Sequence, residues 1–329
     1  MLLKSRKNII SILFAFICLS LSFVIISRSF QTYSYYKSQD IYAHFKTSKK
    51  ILNGKNPYLP ILKSDMKQNN KYPTYFAGFY YLIMPTIKLY PDFNIWIHLW
   101  QKFIIIFYAL VGFLIYYRTK KNSNYFIAIT LSLIWLVNRW SIYLATTLSM
   151  DTLGIALLLL SLILIDYKQK LALLIFGLQI AIKHLTIFLL PLFLIKTKKN
   201  SLKNNFYNLL LILLPVIVVS IQFLLNNPNA YLKSILFTAT RISESHFNVL
   251  SLTVGQIFQF QGLLERLPIL IGISFIYITF LSKKTNFILS IIMILMISIT
   301  FNPVFFLQYQ AWFIAILLFY LSDIKKSFT

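Results

Sequence analysis

The sequence predicts an all-α protein: a polytopic transmembrane bundle of about eight full spans plus a broken helical hairpin. Three observations carry this. The 329 residues are 58% apolar, with a mean hydropathy of +0.71, and only 12% are charged; soluble domains run nearer a quarter charged. Several apolar runs approach the roughly 20 residues that cross a hydrocarbon core as a helix. Lys and Arg gather at the ends of those runs, where topology signals lie. The net charge of +24 therefore reads as membrane topology rather than as a nucleic-acid surface, and no nucleic-acid partner is expected.

The first element follows Lys4, Arg6 and Lys7. Its apolar core, residues 8 to 26, is longer than a secretory h-region and no small-residue cleavage site follows, so it reads as an uncleaved first span. Cys18, the only cysteine, sits inside it and excludes a disulfide framework within the chain.

Six basic clusters set the alternation: Lys4-Arg6-Lys7, Arg118-Lys120-Lys121, Lys168-Lys170, Lys196-Lys198-Lys199-Lys203, Lys283-Lys284 and Lys325-Lys326. With all six in the cytoplasm, residues 8–28, 124–138, 206–225 and 286–301 run outward. Residues 93–117, 146–166, 267–281 and 304–322 return. Both termini then lie inside a plasma membrane, taken as bacterial. Residues 171–195 keep this alternation only as two short helices that enter and leave on the cytoplasmic side, with a break near Lys183-His184. Irregular backbone at membrane depth needs protein or a watery cavity around it. The other reading is one tilted helix with a snorkelling lysine. Two long outer segments result, 28–92 and 226–266. The first is itself lysine-rich, which the positive-inside rule tolerates only because long segments escape it. No repeat or linker divides residues 1–329, which read as a single domain.

Eight acidic residues allow candidate bases to be sorted by place. Asp166 and Asp323 fall on the cytoplasmic rim, Asp65 in a polar loop tip, and Glu265 beside Arg266 at a span boundary. Asp92 in YPDFNIW reads as a helix N-cap. Asp40, Asp151 and Glu244 remain. Asp40 opens a helical pattern through Tyr42, Phe45, Lys49 and Leu52, which Asn53-Gly54 ends. His44 lies four residues on, on the same face. Asp40 is either a reacting group or a first-turn acid favoured by the helix dipole. Asp151 starts a span and reads as a cap or as the partner of Arg139. Glu244 belongs to the polar cluster Arg241, Glu244, His246. The four histidines show no metal spacing, so no metal site is expected.

One ordered set of motifs resembles a family. Asp40 is followed fourteen positions later by Gly54 in ILNGKNPY, with Leu52, Pro57 and Tyr58 in register, and then by Tyr72-Pro73-Thr74. LSMDTLGIALLLL, AIKHLTIFLLPLF and FLQYQAWFIAIL follow in order. The pattern resembles the integral membrane glycosyltransferases of the GT-C superfamily, in the branch of polyprenyl-phosphate-mannose-dependent mannosyltransferases. It departs in Thr74 and Ser149, where that branch has Pro and Gln. The resemblance implies a GT-C-like transmembrane domain with an extracytoplasmic active site, amphipathic helices in the first outer segment, and inverting transfer of a hexose, mannose above others. It implies a polyprenyl-phosphate-sugar donor, a lipid or glycan acceptor and no cofactor, since the lipid-linked sugar is a substrate. It makes Asp40 the base and carries Tyr72, Asp151, Lys183, Gln308 and Tyr309 over as substrate contacts. From position and charge, Lys183, Arg139 and Arg241 are the candidates to receive the departing phosphate, and His44, Glu244 and His246 are further candidate contacts. A transporter or flippase, and a polymerase of lipid-linked glycans, are the competing readings.

Overall fold

The computed structural model describes residues 2–64, 66, 71–198, 201–240, 257–258, 262–302 and 307–321. Among them every regular element is helical. In chain order these are α1 (Leu2–Arg28), α2 (Tyr33–Ser38), α3 (Asp40–Leu52), α4 (Gly78–Leu89), α5 (Phe93–Asn122), α6 (Tyr125–Val137), α7 (Arg139–Thr146) and α8 (Asp151–Leu164). Then come α9 (Gln169–Ile182), α10 (Leu190–Lys196), α11 (Leu202–Asn226), α12 (Pro228–Thr240), α13 (Leu267–Leu281), α14 (Phe287–Thr300) and α15 (Gln308–Leu321). Short 3₁₀ turns cover Leu59–Lys63, His184–Leu189 and Gly262–Arg266.

Helices occupy all eight places predicted for spans, but not all at spanning length. Among the described residues four segments are long and apolar enough to cross a membrane: Ile9–Arg28, Phe93–Asn122, Leu202–Asn226 and Leu264–Leu281. The pair α6 and α7, bent by 51°, makes a fifth if counted as one span. The bend is a capping event: the Asn138 side chain accepts from the backbone N–H of Trp140 and Ser141, both at 3.0 Å, and restarts the helix. The expected span 146–166 becomes helical only at Asp151. Its 14 residues give about 21 Å of helix, short of the ~30 Å hydrocarbon core. Apolar composition locates these helices and does not set their length.

Residues 171–195 fold back on themselves. Phe176 of α9 and Phe193 of α10 stack with ring centroids 3.8 Å apart, where one straight helix would separate them by about 25 Å. At the base of this hairpin the Gln169 side-chain amide donates to the Thr197 carbonyl at 3.1 Å. The reversal falls at Lys183, whose φ of −141° and ψ of 104° are extended. A single tilted helix with a snorkelling lysine is thereby replaced by the hairpin.

Contacts gather the ends nearest the six basic clusters on one face. Lys120 Nζ donates to Ser11 Oγ, Lys121 stands 4.0 Å over the Tyr167 ring, and Lys196 Nζ lies 3.3 Å from Asp166 Oδ1. Lys170 lies over Tyr207, Lys196 over Phe287 and Arg118 over Phe319. The opposite end carries α2, α3 and the first turn of α5, which Asp92 caps by accepting from Asn94 and Ile95 N–H.

The core sits where α9 packs on α8 and α11, and α5 on α1, α6 and α8. Gly177 permits the closest of these crossings: a Cβ there would lie 2.1 Å from the Ile212 carbonyl oxygen of α11. Small residues at helix crossings let backbones approach in a bilayer. Gly177→Ala is therefore expected to lower the thermal midpoint of the purified protein, by overpacking worth about 1–3 kcal/mol. An unchanged midpoint would show that α9 and α11 separate without cost.

Candidate functional site

α3 is placed by its apolar face. Phe45 meets Phe93 at 5.3 Å and Trp96 at 5.1 Å between ring centroids, so α3 rests on the first turns of α5. Its end is a Schellman motif: Gly54 (φ 69°) donates to the Ile51 carbonyl and Lys55 to the Lys50 carbonyl, the bonds that need a residue in the left-handed region. Four residues beyond Gly54, buried Tyr58 donates its hydroxyl to the Tyr75 carbonyl at 3.0 Å. The NGKNPY stretch therefore does two jobs. It stops α3, and it pins the segment that carries Tyr72 and Tyr75.

Asp40 is the first residue of α3. Its side chain is exposed, and among the described residues its carboxylate receives no hydrogen bond and forms no ion pair. It lines two cavities at once. The smaller, about 30 Å³, is polar and is bounded by Asp40, Tyr143, Ser149, Asp151 and Gln308. The larger, about 460 Å³, has an apolar wall of Ile187, Phe188, Ile235, Leu236, Ile269 and Leu270. Asp40, His44, Tyr75 and Lys183 border both and form the partition between them.

Behind the partition lies a buried ion pair. Lys183 Nζ is 3.1 Å from Asp151 Oδ2, and each side chain is at most 2% exposed. Both carboxylate oxygens are satisfied. Ser149 Oγ donates to Oδ2 at 2.7 Å, and Trp312 Nε1 donates to Oδ1 at 2.8 Å. Trp312 reaches this far because residue 154 is glycine; a Cβ there would stand 2.8 Å from its ring. Lys183 also donates to the Tyr75 hydroxyl at 3.1 Å, and its ammonium lies 4.5 Å from the centre of that ring. The hairpin reversal is stapled by Gln179, whose amide nitrogen donates to the Lys183 carbonyl at 3.0 Å while its oxygen accepts from Thr186.

His44 lies one helical turn from Asp40, packed edge-on against Tyr75 and Phe79. Burial lowers its pKa to about 4, against the raising influence of Asp40; Lys183 lowers it further and Asp151 raises it. The imidazole is thus neutral at neutral pH. The native protein binds fewer protons here than the unfolded chain, so stability is lost as pH falls from about 6.5 towards about 4, and not above that window. His44→Gln should flatten this part of the stability–pH curve, measured by thermal midpoint; an unaltered slope would assign the acid sensitivity elsewhere.

Of the residues named from sequence, Asp40, His44, Tyr72, Asp151, Lys183, Gln308 and Tyr309 line one or both cavities. Arg241, Glu244 and His246 lie outside the described residues. The expected pairing of Arg139 with Asp151 is corrected by the Lys183–Asp151 pair. Arg139 opens α7 with its side chain exposed over Trp140, 5.5 Å from the ring, and borders neither cavity. Asp151 takes Lys183 in its place. Three groups went unassigned in the sequence and border the larger cavity: Lys71, His184 and Arg266. Arg266 donates to Asn302 Oδ1 at 2.8 Å, and Lys71 Nζ to the Ser38 carbonyl at 2.8 Å. Arg266 was legible only as a span boundary, since its approach to Asn302 joins residues 36 apart. Among the described residues no group of three or more His, Cys, Asp or Glu could hold a metal ion.

Compared with protein-family models, curated proteins and solved structures, the chain matches none.

Proposed function

We propose that the protein is a membrane-embedded glycosyltransferase that moves a hexose from a polyprenyl-phosphate donor to an acceptor hydroxyl. The observation that carries this reading is the Asp40 carboxylate, without a protein partner among the described residues, at the junction of two cavities of opposite character. The larger cavity suits the donor: its apolar wall matches a polyprenyl chain, and Lys71, Lys183 and Arg266 border it. The ammonium of Lys183 has three protons; Asp151 and Tyr75 take two, which leaves one for a phosphate oxygen.

Asp40 removes the acceptor O–H proton as the acceptor oxygen bonds to the anomeric carbon. The bond from that carbon to the phosphate oxygen breaks, and lipid phosphate leaves as an anion towards the cationic groups. Attack opposite the leaving group inverts the anomeric centre. The step calls on no cofactor. His44 stays neutral and offers a ring nitrogen to a sugar hydroxyl. The same reading places the basic face in the cytoplasm by the positive-inside rule, with eight crossings, both termini inside, and Asp40 at the extracytoplasmic end of a bacterial plasma membrane.

The test is a donor panel. Purified protein is incubated with labelled hexose on polyprenyl monophosphate and on polyprenyl diphosphate. Label passing to a new lipid or glycan product from the monophosphate supports the reading. Transfer only from the diphosphate points to a polymerase. The broken hairpin also suits a transporter, since such breaks recur at transport sites. Substrate movement across proteoliposomes without a covalent product would favour that alternative.

A further inference from the structure

The lysines of α3 have no part in the reaction just described. Between Arg28 and Asp92 the sequence holds ten basic residues and three acidic ones. On α3 their arrangement is ordered. Ile41, Phe45, Ser48 and Ile51 face the core. Lys46, Lys49 and Lys50, spaced i, i+3, i+4, share the opposite face, and all three are exposed. Exposed Lys37 and Lys55 flank them in sequence.

Among the described residues none of the three α3 lysines pairs with a carboxylate. Lys49 Nζ donates to the Pro91 carbonyl at 3.0 Å, and Lys46 lies 4.8 Å over the Tyr42 ring. The nearby acids are committed elsewhere: Asp92 caps α5, and Asp40 borders the cavities.

We propose that this face of α3 binds a linear acidic glycan, a chain bearing carboxylates or phosphodiesters, and that this chain is the acceptor. The second half of the statement rests on the transferase reading. One helix carries both the base and the cations: Lys46 to Lys50 follow Asp40 by six to ten residues, or about 9–15 Å along the axis. A chain that meets the lysines with its earlier charges and then turns round α3, by about 80° from Lys50 to Asp40, presents its terminal hydroxyl to the base. Anionic lipid is the competing occupant, and α3 has the wrong surface for it. A helix that lies on a membrane shows large apolar side chains beside its lysines. On α3 no large apolar side chain is exposed, whereas α1 exposes Ile12, Leu13 and Phe16.

The experiment uses the full chain in nanodiscs of zwitterionic lipid. Labelled oligogalacturonate is titrated beside neutral dextran of equal length. The oligogalacturonate should bind at low salt and weaken about ten-fold as ionic strength rises from about 0.05 to about 0.5 M, and dextran should not compete. The triple variant Lys46→Gln, Lys49→Gln, Lys50→Gln should bind it about ten-fold more weakly at low salt, with an unchanged thermal midpoint. The corresponding triple Arg variant should retain binding. Equal binding of dextran, or undiminished binding by the Gln variant, overturns the proposal. So does a Gln variant that loses anionic vesicles but keeps oligogalacturonate. Binding as expected, with no sugar transfer from any donor, keeps the surface and removes its role as acceptor site, so the two failures are separable.

Discussion

Asp40→Asn should leave the protein folded in the membrane and lower sugar transfer by a factor of about 10²–10⁴, the usual contribution of a positioned base. The change is isosteric and breaks no contact, because the carboxylate makes no hydrogen bond or ion pair among the described residues and is exposed. Stability and catalysis therefore separate at this residue. Thermal midpoint and detergent solubility should match the wild type while turnover with labelled donor collapses. A first-turn acid that serves only the helix dipole would give the opposite pattern: a small loss of stability, a few tenths to 1 kcal/mol, with turnover intact.

The largest effect on stability is expected at the Asp151–Lys183 pair. Asp151→Ala leaves an ammonium that is 2% exposed without its counter-charge, which costs about 3–5 kcal/mol when one partner of a buried pair is removed. Lys183→Met strands the carboxylate in the same way, although Ser149 and Trp312 still donate to it. The double variant should recover part of the loss, because it leaves neither charge buried alone, although Trp312 Nε1 loses its acceptor and Ala leaves a small void. The coupling is read from a double-mutant cycle of thermal midpoints. Additive losses would mean that the two charges do not depend on each other. The recovered double variant should still transfer sugar poorly on the proposed mechanism, since Lys183 borders the larger cavity.

These two sites differ in how far the sequence discloses them. α3 could be read almost completely. Its start at Asp40, its shared face with His44 and its end at Asn53-Gly54 depend on neighbours within a few residues, and the Schellman motif at Gly54 is local chemistry. The Asp92 cap was legible for the same reason, whereas the break near Lys183 was read from the alternation of the basic clusters. The partner of Asp151 was not. Arg139 is nearer in sequence, but Lys183 arrives from 32 residues away and Trp312 from 161. Only the folding-back of α9 and α10 brings the lysine there. Arg266 and Lys71 join the larger cavity through equally distant packing. The helix lengths were less legible, because apolarity is a property of residues, whereas the break at Asn138 is decided by a side-chain cap.

The central claim is that Asp40 accepts the proton of an attacking hydroxyl at an inverted sugar carbon. Its most direct test is the anomeric configuration of the product made by purified protein from a configurationally defined polyprenyl-phosphate hexose, with Asp40→Asn run alongside. The account predicts a wild-type product of inverted configuration and next to none from the variant. A retained configuration, or a variant as fast as wild type, would contradict it.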